Sequence, residues 1–345
     1  MSEPQYAPLR AILAEIERKC AMDKDPVEIY DWIIKKFTSL GANDDNAELR
    51  WVESFDWYDE LLAKRDARAA LPESERVLLD WPWASWNSKI DPLEPVMLAA
   101  ITAPDGQGKS IIVECISEWW ARRQLKVVFV HYELNRALMM DRRTARHTSI
   151  EVRTLKSGMM TPEQRALVAA IRPKLLAWNG EITYLHTPGW TVDQTVAELR
   201  RQHAEGRCDV VVIDYLEKIA PSKRQMDIFG SNIWQREGDN VEQFKNFAEI
   251  TEIPVVMVAQ MNKAGKDESF KRMSRNDMGG SADKSNKANL VVLLKRDRDE
   301  DTGEYSNTVH VEIDKNTMGA TGAFDQIMEP KFFRLTDIYR ELLNK

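Results

Sequence analysis

Ala103-Pro-Asp-Gly-Gln-Gly-Lys-Ser110 places two glycines, a lysine and a hydroxyl within eight residues, after an apolar run and before a helix-forming stretch. That grouping suits a bound triphosphate. Gly106 and Gly108 let the main chain approach the phosphates, and loop N–H groups at a helix N-terminus attract the anion. Lys109 has the length to reach the β- and γ-phosphates, and the Ser110 hydroxyl is a Mg²⁺ ligand. The expected nucleotide contacts are therefore Ala103, Pro104, Asp105, Gly106, Gln107, Gly108, Lys109 and Ser110, with ATP and Mg²⁺ as cofactors. Ala103 stands where a first glycine is commoner in this loop type, a mild departure because a small side chain fits there.

Three later apolar runs end in a side chain with a role at such a site. Cys208-Asp-Val-Val-Val-Ile-Asp214 ends in Asp214, a carboxylate placed to hold the metal with Ser110. Val127-Val-Phe-Val-His-Tyr-Glu133 ends in Glu133, which can polarise an attacking water as general base or cap the helix starting near Asn135. Ile253-Pro-Val-Val-Met-Val-Ala-Gln260 ends in Gln260, either a sensor of the γ-phosphate or a strand-end hydrogen-bonding group.

The elements that must deliver these groups are legible as alternating short apolar runs and amphipathic stretches, the pattern of a parallel sheet covered by helices on both faces. Strands are expected at Val96–Thr102, Lys126–Tyr132, Ile182–His186, Asp209–Asp214, Pro254–Ala259 and Leu290–Lys295. Alternating Thr308–Ile313 belongs to a terminal antiparallel hairpin. Helices are expected at Lys109–Arg123, Asn135–His147, Pro162–Ala177, Thr191–Glu205 and about Ile233–Ile250.

Upstream, residues 1–80 read as a small helical segment with apolar spacing in Pro26–Phe37 and Ala47–Leu62. Its tryptophans, Trp32, Trp51 and Trp57, suit either packing onto the core or docking a partner. Residues 81–95, opening on Trp81-Pro-Trp-Ala-Ser-Trp86, read as a linker or lead-in to an ATPase domain over 96–345. Acids outnumber bases 20 to 12 in residues 1–95, whereas residues 96–345 carry 35 acids and 36 bases. The net charge of −7 therefore belongs to the N-terminal segment and does not exclude a local basic surface for nucleic acid. Three scattered cysteines, Cys20, Cys115 and Cys208, suggest neither a disulfide framework nor a zinc site and fit a reducing cytoplasm. No apolar run approaches the roughly 18 residues of a membrane span, and no secretory leader is expected in the polar start Met1–Leu9.

Residues 262–287 hold seven bases against four acids, with glycines and no apolar period. Either a solvated loop or a phosphate-contacting loop for single-stranded nucleic acid fits, with Lys263, Lys266, Lys271, Arg272 and Arg275 as contacts and Phe270 as the stacking candidate.

The order of these motifs, with Ile213-Asp-Tyr-Leu216 and Pro254-Val-Val…Gln260-Met-Asn262, resembles the C-terminal, RecA-like motor domain of the DnaB-type replicative helicases over about Trp83–Phe324. Met278-Gly-Gly-Ser281 is similar to that family's DNA-facing loop, adding Gly280 and Ser281. Asp314-Lys-Asn-Thr-Met-Gly-Ala-Thr-Gly322 is similar to its Lys-x-Arg-x-Gly hairpin. The resemblance implies a homo-oligomeric ring, hexameric in the family, with ATP between subunits and 5′-to-3′ movement on single-stranded DNA. It also implies that Lys315 stabilises transition-state charge in the neighbouring subunit's site, and a replication or loader protein is a candidate partner for the N-terminal segment. Two positions depart from it. Thr317 stands where an arginine finger is expected, so Lys315, Arg296, Arg298, DNA or a partner must supply that charge. By the same resemblance, the short acidic segment is expected to stand in place of that family's large N-terminal collar. A second class of function also fits: an ATPase switch that docks a protein according to nucleotide state.

Overall fold

Six apolar runs rich in Val, Ile and Leu become six parallel strands because helices cover both faces of the sheet they form. A computed structural model of the chain describes residues 7–22, 29, 32–33, 36, 56–72, 78–133, 135–178, 180–260, 286–299 and 301–338. The chain divides into two compact units, Met1–Arg76 and Val77–Lys345.

In the larger unit the strands are β1 (Leu98–Ala103), β2 (Lys126–His131), β3 (Glu181–His186), β4 (Val210–Asp214), β5 (Val255–Gln260) and β6 (Leu290–Lys295). Three antiparallel strands follow: β7 (Thr308–Asn316), β8 (Gly322–Glu329) and β9 (Arg334–Asp337). They join in one sheet of order β3-β2-β4-β5-β1-β6-β7-β8-β9. The expected strands are thus found within one or two residues, and the expected hairpin is a longer three-strand meander.

Residues alternate across the sheet with the two-residue period of a strand. Ile101, Phe129, Val212, Val256 and Val292 pack on one face with Ile112, Ile116 and Trp120 of the helix Lys109–Arg122. Ala100, Val130, Ile213, Met257 and Val291 pack on the other with Val241, Phe244 and Phe247 of the helix Ile233–Thr251. Because β1, β2, β4, β5 and β6 are all parallel, their C-terminal tips share one edge. The polar residues ending those runs meet there.

The stretch 81–95, read as either a linker or a lead-in to the core, packs into this core. Trp81 and Trp86 are fully buried and Trp83 is 6% exposed. Each indole N–H finds an acceptor: Trp81 on the Asp91 carbonyl at 3.2 Å, Trp83 on the Leu335 carbonyl at 2.9 Å, and Trp86 on Gln326 Oε1 at 2.8 Å. Proline content suggested a connector, but three large apolar rings with satisfied donors stabilise more by burial than a solvated strap would.

In the smaller unit the described helices are Ala7–Ala21 and Asp56–Ala70. The second extends eight residues past Leu62, since Ala63–Ala70 is, apart from Asp66, built of Ala, Lys and Arg, good helix formers without an apolar stripe. Most of Pro26–Phe37 lies outside the described residues, while Lys19 Nζ sits 5.0 Å from the centre of the Trp32 ring.

Replacing Trp86 by alanine is expected to lower the unfolding free energy by about 3–5 kcal/mol, read as an earlier denaturant midpoint at unchanged slope. A loss under about 1 kcal/mol would mean that the Trp81–Trp86 strap is not core.

Candidate active site

The phosphate-binding loop follows β1 and opens the helix Lys109–Arg122. Two residues in it take backbone angles that suit glycine, Gly106 at φ +74° and Gly108 at φ +96°. A Cβ on Gly108 would also meet the end of the Met328 side chain on β8, which would have to move, but it is the left-handed conformation that favours glycine there. The loop is braced from its own chain: the Arg296 main-chain N–H donates to Gln107 Oε1 at 2.6 Å, and its guanidinium donates to the Gly106, Tyr305 and Ser306 carbonyls. Arg296 therefore acts as a strut for the loop, while Arg298 donates to the Gly303 carbonyl at 2.8 Å.

Lys109 Nζ lies 2.7 Å from the Ala103 carbonyl and 2.9 Å from the Pro104 carbonyl, folded back over its own loop. Asp214 ends β4 and is bonded by the Ser110 hydroxyl. Its Oδ1 is buried and has no hydrogen-bond partner among the described residues. Burial pushes the carboxyl up to about 6, with the Ser110 hydrogen bond and the Arg142 and Lys109 charges opposing that rise. An unpartnered carboxylate oxygen next to a serine hydroxyl at a phosphate loop is the donor set a hydrated Mg²⁺ takes, so these residues fit the ion.

Glu133 lies on the adjoining strand tip, two residues beyond His131, which pairs with Asp214 across β2 and β4. The helix it precedes is capped by Asn135, whose Oδ1 accepts from the Leu138 N–H at 2.9 Å. Capping therefore falls to Asn135, not Glu133, whose carboxylate pairs with Lys218. Gln260 ends β5 and donates through Nε2 to Asp105 Oδ1 at 2.6 Å, tying the next strand tip to the loop. Asp105, Gly106, Gly108, Lys109, Ser110, Glu133, Asp214 and Gln260 line one cleft of about 340 Å³.

Four further residues, to which the sequence assigned no role, line it: Ile111, Arg142, Tyr215 and Phe333. The Arg142 guanidinium stacks 4.1 Å from the Phe333 ring centre and donates to Glu114 Oε1 at 3.2 Å. Its neighbour Arg146 is buried, 2.7 Å from Glu114 Oε2 and paired with Glu118. Burial pushes the Glu114 carboxyl up to about 7 against the pull of Arg146 and Arg142. The signal was present in the sequence: Glu114 and Glu118 are four apart on one helix, and Arg142 and Arg146 are four apart on the next, two matching charged faces.

Lys315 is not among these groups. It lies near the end of β7, opposite Val291 at the start of β6, and donates to the Asn286 carbonyl at 2.7 Å. Thr317 N–H bonds the Asn289 carbonyl beside it, so both residues sit at the sheet edge away from the phosphate loop of their own chain. Lys263, Lys266, Lys271, Arg272, Arg275, Gly280 and Ser281 lie outside the described residues. Lys287, at the end of the same segment, pairs with Glu242 at 2.8 Å.

Residues 83–337 match the model of the DnaB-like helicase C terminal domain. The replicative DNA helicase DnaC of Bacillus subtilis is 24% identical over 216 residues, covering 62% of this chain and 46% of that protein. The replicative DNA helicase DnaB of Geobacillus stearothermophilus gives the same identity and coverage, 24%, 62% and 46%. The chain thus spans less than half the length of these relatives. Among solved structures, one ATPase domain superposes with a TM-score of 0.71 at 17% identity, over 84% of this chain and all of that one. A DnaB-like replicative helicase, studied with its interactions with primase, superposes with a TM-score of 0.74 at 15% identity, over 96% of this chain and 76% of that one. At these identities the superpositions establish a shared fold.

The Asp214 carboxyl gives a pH test on protein free of nucleotide and magnesium. Its folded value of about 6 exceeds its ordinary 3.8, so the stability tied to its proton is complete below pH 3.8 and is lost as pH rises through about 6. Asp214→Asn is expected to raise stability at pH 7.5 by about 3 kcal/mol or less, with the advantage shrinking toward pH 4. Urea midpoints across that range check it. A difference that does not vary with pH would contradict the burial argument.

Proposed function

We propose that this chain, which belongs to the DnaB-like helicase C terminal domain family, is an ATP-hydrolysing motor that moves on single-stranded DNA and unwinds duplex in replication. The observation that carries the reading is the convergence of Ser110, the unpartnered Asp214 oxygen and Glu133 beside a glycine-shaped phosphate loop. Magnesium, when bound, supplies the divalent charge that offsets the triphosphate.

The chain's own residues do the rest. N–H groups from Gly106 to Ser110 receive phosphate oxygens without reorganising, because Arg296 and Gln107 already hold the loop. The Lys109 ammonium exchanges two main-chain carbonyls for phosphate. Ser110 and Asp214 hold the metal, leaving Glu133 to accept the proton of the attacking water. Gln260 senses the γ-phosphate and transmits its loss to the segment that follows β5.

Lys315 lies at the far edge of its own sheet, so its proposed charge-stabilising role belongs to a neighbouring subunit in a homo-oligomeric ring, hexameric by family resemblance. Lys263, Lys266, Lys271, Arg272 and Arg275, with Gly280 and Ser281, contact the strand through its phosphates. The acidic N-terminal unit docks a replication protein. Primase, which interacts with a helicase of the same fold, is a candidate, and the cytoplasm is the setting such work requires. Among the described residues no helix is long and apolar enough to cross a membrane.

DNA-stimulated ATP hydrolysis and forked-duplex unwinding test the reading together. Lys109→Ala is expected to abolish both, and Glu133→Gln to lower kcat by about 10²-fold or more while nucleotide still binds. Thr317→Arg is expected to raise turnover on the order of tenfold or more if a finger arginine is what the site lacks. Nucleotide-dependent capture of a protein with no strand separation would contradict the proposal.

A further inference from the structure

Just after Asp214 the chain makes one 3-10 turn, Leu216–Lys218, whose side chains have no part in the scheme above. Two consecutive residues of this turn hold two different strand tips. Glu217 Oε1 accepts from the Gln260 main-chain N–H at 2.9 Å, and the Gln260 side chain reaches on to Asp105 of the phosphate loop at 2.6 Å. The Lys218 ammonium pairs with the Glu133 carboxylate. Tyr215 is hydrogen-bonded to both Lys218 and Glu133, and its ring centre lies 5.7 Å from Lys218 Nζ.

Glu133 follows the end of β2, and its side chain is 43% exposed. A glutamate there has three freely turning bonds and samples many rotamers unless something holds its carboxylate. We propose that Lys218, braced by Tyr215, is the positioning residue of the Glu133 carboxylate, and that the turn it shares with Glu217 links the orientation of Glu133 to Gln260 and the phosphate loop. The inference rests on Glu133 being the proton acceptor for the attacking water. A pair this exposed adds little to stability, so its effect falls on orientation, and orientation acts on turnover rather than on nucleotide binding.

The test uses the full chain with saturating single-stranded DNA, measuring kcat and KM for ATP in Lys218→Met, Lys218→Arg and Glu133→Gln. Lys218→Met is expected to lower kcat about three- to tenfold, the cost of freeing one rotamer-rich side chain, with KM within about twofold of the parent. Lys218→Arg, which keeps the charge and the reach, is expected to restore most of the loss. If Lys218→Met leaves kcat unchanged or raises it, or if KM rises as far as kcat falls, or if Lys218→Arg fails to restore turnover, the positioning role is wrong while the reading of Glu133 stands. If Glu133→Gln itself leaves turnover intact, the reading of Glu133 fails and takes the role of Lys218 with it.

Discussion

A carboxylate kept inside the tip of an apolar sheet is the constraint on which the site depends. Asp214 is only 5% exposed, one oxygen has no hydrogen-bond partner among the described residues, and burial is the largest cause that raises its carboxyl to about 6. A fold optimised only for stability would not keep an acid there. Its placement beside the Ser110 hydroxyl is a donor set that suits a hydrated Mg²⁺, whose binding would offset the cost of burying that charge.

The surrounding architecture keeps that position fixed. Five parallel strands end on one edge, so the loop, the acids and the amide arrive together by sheet register. The helix that opens at Lys109 is then locked from behind. Glu114 and Glu118 on it meet Arg146 from the next helix, and Arg146 Nε also bonds the Phe333 carbonyl at 2.9 Å. Breaking a buried set of this kind by removing one member is costly, which favours a single arrangement of the two helices and of Arg142 at the cleft wall. In the core on the same face, the Trp81 ring centre lies 5.1 Å from that of Trp86 and 6.1 Å from that of Trp120.

Much of this was legible in the sequence, for a specific reason. Strands buried on both faces must be nearly continuous apolar runs, so Val210–Asp214 and Leu290–Lys295 announced themselves, and so did the polar residues ending them. Local spacing also exposed the loop from Ala103 to Ser110. Contacts between distant segments were not legible. Nothing near Arg142 indicates that Phe333 will lie under its guanidinium, and nothing near Trp86 indicates that Gln326 will accept its N–H across 240 positions. Proline and tryptophan in 81–95 fitted either a linker or a lead-in to the core, and tertiary packing favours the second. Glu133 could be read from sequence as a helix cap or a general base, and the structure bears only on the first, giving that cap to Asn135.

Equilibrium binding of a fluorescent ATP analogue, measured with magnesium and then with excess chelator, tests the central claim most directly. One nucleotide per chain, bound tightly with magnesium, weakened when the metal is removed, and weakened again by Ser110→Ala, is the result expected if Ser110 and Asp214 frame the metal position. Binding that is indifferent to magnesium and to Ser110, or no binding at all, would contradict it.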